Sequence, residues 1–128
     1  MISGGVQNSS FGEEILGGLD YTGDGNAELF VGDLVGDGTG GLRPASGVGY
    51  VFYEAALLRG LNFNIGAPPA GIELSKILGP SSGAIGSDTA AHGDFNNDGF
   101  DDLMIGNPLD DPLGRTRAGG MSVLLGQN

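Results

Sequence analysis

Asp94-Phe95-Asn96-Asn97-Asp98-Gly99-Phe100-Asp101-Asp102, followed by Leu103-Met104-Ile105-Gly106, is the stretch from which the fold of this chain is read. Asp94, Asn96, Asp98 and Asp102 stand at positions 1, 3, 5 and 9, so alternate residues of a tight loop can turn their oxygens to one side. Gly99 at position 6 permits the sharp turn that such a loop needs. The apolar run behind it starts at an acid and stops at Gly106. It is too short for a helix of ~10 or more residues and fits a strand buried on both faces.

The same arrangement occurs earlier in the chain. Laying Asp20 on Asp94 puts Phe11-Gly12 on Ile85-Gly86, Asp24-Gly25 on Asp98-Gly99, Leu29 on Leu103 and Gly32 on Gly106. Glu28 then falls on Asp102 and Val31 on Ile105, which match in kind. A slip of two residues aligns Gly47 to Tyr53 with Gly119 to Leu125. Self-similarity of this kind marks a repeated supersecondary unit.

Each unit reads as strand, acidic loop, strand, turn-rich loop, strand. Tyr50-Val51-Phe52-Tyr53 and Ser122-Val123-Leu124-Leu125 carry residues favoured in strands. Residues 33–46 and 107–118, rich in Gly, Asp and Pro, are expected to be surface loops. The expected division is a first unit over 1–53 with three inner strands and an insertion or outer-strand segment over 54–80. A second unit over 81–128 then lacks its own fourth strand. Asn62-Phe63-Asn64-Ile65 and Ile72-Glu73-Leu74 supply material for the fourth strand of the first unit, and Glu54 to Arg59 for no more than a helical turn.

Composition agrees with short strands and many turns. The 128 residues include 27 glycines and six prolines, and Gly costs about 1 kcal/mol against Ala inside a helix. With 39% hydrophobic residues there is enough apolar material for a core, and a disordered chain is not expected. The formal charge of −11 repels a nucleic-acid backbone, and bound cations would relieve it. The absence of Cys removes disulfide, zinc-thiolate and cysteine-nucleophile chemistry together. No apolar run approaches the ~20 residues that span a bilayer, and no signal peptide is visible. Asn8-Ser9-Ser10 fits the short glycosylation acceptor pattern.

Oxygen-only ligands with several carboxylates favour a hard cation, and the loop size suits Ca²⁺ better than the tight octahedron of Mg²⁺. Two calcium sites are expected. One is formed by Asp94, Asn96, Asp98, the Phe100 carbonyl and Asp102; the other by Asp20, Thr22, Asp24, the Asn26 carbonyl and Glu28. An EF-hand loop begins in the same way but needs a bidentate Glu at position 12, where this chain has Val31 and Ile105. Thr22 is a weaker ligand than Asn96 and Glu28 reaches further than Asp102, so residue types alone predict looser binding in the first loop.

Catalytic signatures are sparse. His92, the one histidine, sits on the strand entering the second loop, where a packed strand residue is the plainer role. Gly36-Asp37-Gly38-Thr39-Gly40-Gly41 is followed by no P-loop lysine. Trp, the usual platform for sugars, is absent. An enzyme is not expected; a carbohydrate-binding module and an accessory domain of an extracellular enzyme are the alternatives.

Together these residues resemble the FG-GAP repeat of integrin α-subunit β-propellers and related bacterial proteins. Phe11-Gly12 matches the opening dipeptide, with Ile85-Gly86 a conservative departure. The Asp-x-Asn-x-Asp-Gly-x-x-Asp loop is matched fully at 94–102 and loosely at 20–28. Gly106-Asn107-Pro108 stands where the family has Gly-Ala-Pro, and Gly32-Asp33-Leu34 departs from it.

The resemblance implies an all-β fold of two tandem propeller-type blades of antiparallel strands. A calcium loop then joins the first and second strand of each, and the metal braces the blade without doing chemistry. In that family about seven such blades close a ring, so two cannot close one alone. Further blades of a longer chain, or copies assembling head to tail into a ring or filament, are the expected partners. Extracellular protein or glycan ligands are possible partners too. Calcium sites of ~10⁻⁴–10⁻³ M affinity fill outside a cell, which points to an extracellular or cell-surface location.

Overall fold

A computed structural model describes residues 1–5, 7–37, 45–79 and 89–127. Ile85-Gly86, the boundary at 80 and 81, residues 38–44 of the first turn-rich loop and Asn128 lie outside the described residues. The strands are β1 (Ile2–Ser3), β2 (Phe11–Leu19), β3 (Glu28–Asp33), β4 (Val48–Phe52) and β5 (Phe63–Asn64). They continue with β6 (Leu74–Leu78), β7 (Thr89–Gly93), β8 (Asp102–Asn107) and β9 (Gly120–Leu124). No α-helix occurs among the described residues, and Ala55–Leu58 forms a single 3₁₀ turn.

Two antiparallel sheets follow from this order. One has four strands, β2-β3-β4-β6, and the other has three, β7-β8-β9. The fourth strand of the first sheet is Leu74–Leu78, with Val48 opposite Leu78 and Phe52 opposite Leu74. Phe63–Asn64 instead pairs with Ile2–Ser3, and this two-residue pair is parallel, the exception among the described strand pairs.

The strand registers carry the internal repeat. Leu29 lies opposite Phe52 and Gly32 opposite Gly49; in the second sheet Leu103 lies opposite Leu124 and Gly106 opposite Met121. The two-residue slip read from the sequence is therefore built into the pairing. On the other side of each acidic loop, Leu19 pairs with Glu28 and Gly93 with Asp102. Behind that point the sheets differ, because β2 has a register shift between Gly17 and Leu19 that β7 lacks. Gly18 sits there at φ +89°, where glycine alone is unstrained, and takes up the extra residue as a bulge.

One core lies between the sheets. Phe30, Val51 and Leu19 pack with Leu103 and Ile105, flanked by Leu16, Ile77, Ala90 and Leu124. A second core lies on the far face of the first sheet, where Val31, Val48, Tyr50 and Phe52 meet Ile65. That face is covered by Ile2 of β1, Phe63 of β5, and Leu58 and Ile72 of the connection. Both faces of β3 are thus covered, as expected for Leu29-Phe30-Val31.

Leu103-Met104-Ile105 departs from that expectation. Leu103 and Ile105 are buried against the first sheet, but Met104 is half-buried on the opposite face. There it pairs with Val123, which is 45% exposed, and Met121 beside it is 61% exposed. Among the described residues, the first sheet is covered on two sides and the second on one.

Candidate metal centres

Both acidic loops curl by the same rule: the carboxylate at position 1 caps the turn made by the glycine at position 6. The Gly25 N–H donates to Asp20 at 3.2 Å, and the Gly99 N–H donates to Asp94 at 2.9 Å. The acid at position 5 accepts the N–H at position 7, Asn26 to Asp24 at 2.8 Å and Phe100 to Asp98 at 3.0 Å. The acid at position 9 reaches back to position 2, Tyr21 N–H to Glu28 at 2.5 Å and Phe95 N–H to Asp102 at 2.9 Å. Gly25 and Gly99 hold φ of +82° and +93°, the left-handed region that a side chain resists. Three of the five candidate positions in each loop are thus fixed by equivalent hydrogen bonds.

The loops differ in how closely the acids gather. Among the described residues, one group of three acids has ligand atoms all within 4.8 Å of one another: Asp20, Asp24 and Glu28. Thr22 joins it, its hydroxyl donating to Glu28 at 3.3 Å. In the second loop Asn96 donates its amide to Asp98 at 2.8 Å, and the Asp98 N–H donates to Asn96 at 3.1 Å. Asp102 is fully buried, and its second oxygen accepts the Gly126 N–H at 2.9 Å. Asp102 is shorter than Glu28 by one methylene, and both its oxygens are taken by main-chain N–H groups. Glu28 reaches in. The acids gather more closely in the first loop, where residue types alone predict the looser binding.

Electrostatics fit a cation in the first loop. Burial raises the Glu28 carboxyl above its usual range against the pull of the Tyr21 and Thr22 N–H groups, and the Asp20 charge raises it further. Asp24, fully solvated, is lowered, chiefly by the Asn26 N–H. Crowded carboxylates with oxygen donors alone are the donor set that a hard divalent ion satisfies.

Asp101, at position 8, was not among the sequence-derived candidates. It lies between the loops: its carboxylate accepts the Asp20 N–H at 3.0 Å and meets His92 Nδ1 at 2.9 Å. These contacts hold Asp101 below the usual carboxylate range, the Asp20 N–H most of all. The available signal was the doubled acid Asp101-Asp102, where the first loop has Ala27-Glu28. His92 is therefore part of a loop-to-loop contact.

No helix among the described residues is long and apolar enough to cross a membrane. Residues 87–124 match the FG-GAP repeat family model, a span containing the second acidic loop and all three strands of its sheet. No curated protein gives a significant match to the chain.

Proposed function

We propose that the chain is a calcium-braced, non-enzymatic structural or adhesion module built of two propeller-type blades and working outside the cell or at its surface. The observation that carries this is the hydrogen-bond scheme common to the two loops, together with the three first-loop carboxylates drawn within 4.8 Å. The FG-GAP match over 87–124 supports it, since such repeats are typical of surface propellers. Asp20, Thr22, Asp24, the Asn26 carbonyl and Glu28 hold one ion. Asp94, Asn96, Asp98, the Phe100 carbonyl and Asp102 hold the other. Each ion clamps a loop between two strands and does no chemistry.

The open face of the second sheet supports a partner. Met104 and Val123 stand where Phe30 and Val51 stand in the first sheet, and there the second sheet covers them. A further blade of a longer chain covers the open face in the same manner. A second copy is the alternative, but the first sheet's far face, which it would have to offer, is occupied by β1, β5 and the connection.

Calcium calorimetry on the metal-free chain tests the first proposal, and no uptake at millimolar calcium overturns it. Light scattering with and without EDTA tests self-association. A monomer under both conditions leaves a further blade as the partner.

A further inference from the structure

Asp20, the first ligand of the proposed first site, is held on both sides of its main chain by one residue of the other loop. Its N–H donates to Asp101 Oδ2 at 3.0 Å, and its carbonyl accepts the Asp101 N–H at 3.0 Å. Asp101 in turn lies between two members of the second site, Phe100 and Asp102. Two further contacts flank this clasp. The Gln127 N–H donates to the Tyr21 carbonyl at 3.2 Å, one residue past the Gly126 that caps Asp102. The Phe100 ring fills the space over Gly23, where an added Cβ would stand 2.2 Å from it.

We propose that Asp101 is a positioning residue that joins the two loops into one calcium-loading unit, so that an ion ordering either loop favours ion binding in the other. This rests on the calcium reading above. Binding at the first loop must fix the Asp20 backbone while its carboxylate, Thr22 and Asp24 turn inward. If an ion already holds the second loop, Asp101 presents its acceptor and donor in place, and less ordering remains to be done at Asp20. The effect is reciprocal by linkage, so the second loop gains as much from the first. The first loop has Ala27 at the position of Asp101, and the Ala27 carbonyl accepts the N–H of Ala55, in the 3₁₀ turn, at 2.8 Å. The clasp is therefore a property of this pair of loops and does not follow from the repeat.

Calcium is titrated calorimetrically into the metal-free chain, into Asp98→Ala to leave the first loop, and into Asp24→Ala to leave the second. The wild-type isotherm is expected to be tighter than the sum of the two single-loop isotherms, with the second ion favoured on the order of tenfold. In an Asp101→Ala background two ions still bind but the excess disappears. Asp101→Asn, which keeps an acceptor oxygen for the Asp20 N–H, retains it. A wild-type isotherm equal to the sum overturns the coupling and leaves calcium binding standing; no uptake by any variant overturns both. If Asp101→Ala does not fold, the wild type against its single-loop variants still decides.

Discussion

Asp33 and Asn107 occupy the same place in the two sheets, each the last residue of the strand that follows the acidic loop, and both are buried. Asn107 donates its amide to Ser122 at 3.2 Å. Asp33 is held by the Ser9 side chain and the Ser10 and Gly36 N–H groups, yet its Oδ1 has no hydrogen-bond partner. An orphaned oxygen on a buried acid is costly, and the second sheet shows an amide fitting the equivalent position.

Asp33→Asn is therefore expected to stabilise the chain at neutral pH by about 1 kcal/mol. Burial raises the folded-state carboxyl of Asp33 above its ordinary 3.8. A raised acid gives its full stability below the unfolded value and loses it as pH rises through the folded value. The advantage of the variant thus grows with rising pH and vanishes below about 3.8. Urea unfolding in EDTA across this range reads it; a variant less stable at neutral pH contradicts the account.

Calcium removal should lower thermal stability by mass action. At about 1 mM calcium and a dissociation constant of ~10⁻⁴–10⁻³ M, each site adds about 0.4–1.4 kcal/mol. For a domain of this size each kcal/mol is worth about 2–8 °C. Scanning calorimetry with calcium and then EDTA should show a fall of several degrees, and Glu28→Gln should shrink it by removing a carboxylate from the first loop. An EDTA-insensitive midpoint would speak against ions at both loops.

Gly49 is required for packing. A Cβ there would stand 2.5 Å from Phe30 Cε2 and 3.0 Å from its Cζ, inside the core between the sheets. Gly49→Ala must displace that ring and is expected to cost about 1–3 kcal/mol. Denaturant unfolding checks it, and a neutral substitution would mean that the ring has room to move.

Much of this arrangement could be read from the chain. The acidic loops, the apolar runs behind them and the two-residue slip were all visible because ligand spacing and strand period are local patterns. Three features were not. The bulge at Gly18 puts one extra residue into β2, which an ungapped comparison of Phe11 with Ile85 passes over. The covering of the first sheet's far face joins Ile2, Phe63 and Ile72 across long separations, and no short window contains it. The role of Asp101 could not be read from its own loop, because its partner Asp20 belongs to the other one.

The two faces of the second sheet should respond differently to substitution. Leu103 is fully buried among Leu19, Phe30, Val51 and Ile105, so Leu103→Ala leaves a cavity and should cost about 2–5 kcal/mol. Val123 lies in the middle of the open face, 45% exposed beside Met104. Val123→Lys should change the stability of the isolated chain by no more than about 0.5 kcal/mol, since water can solvate the ammonium. In a longer chain or an assembly that buries this face, the same lysine loses that water and should destabilise strongly, because an unpaired charge is excluded from an apolar interface. Chemical denaturation of the isolated chain, beside the same substitution in a chain extended by a further repeat, reads both cases. Equal small effects in the two would show that nothing packs on Met104, Met121 and Val123.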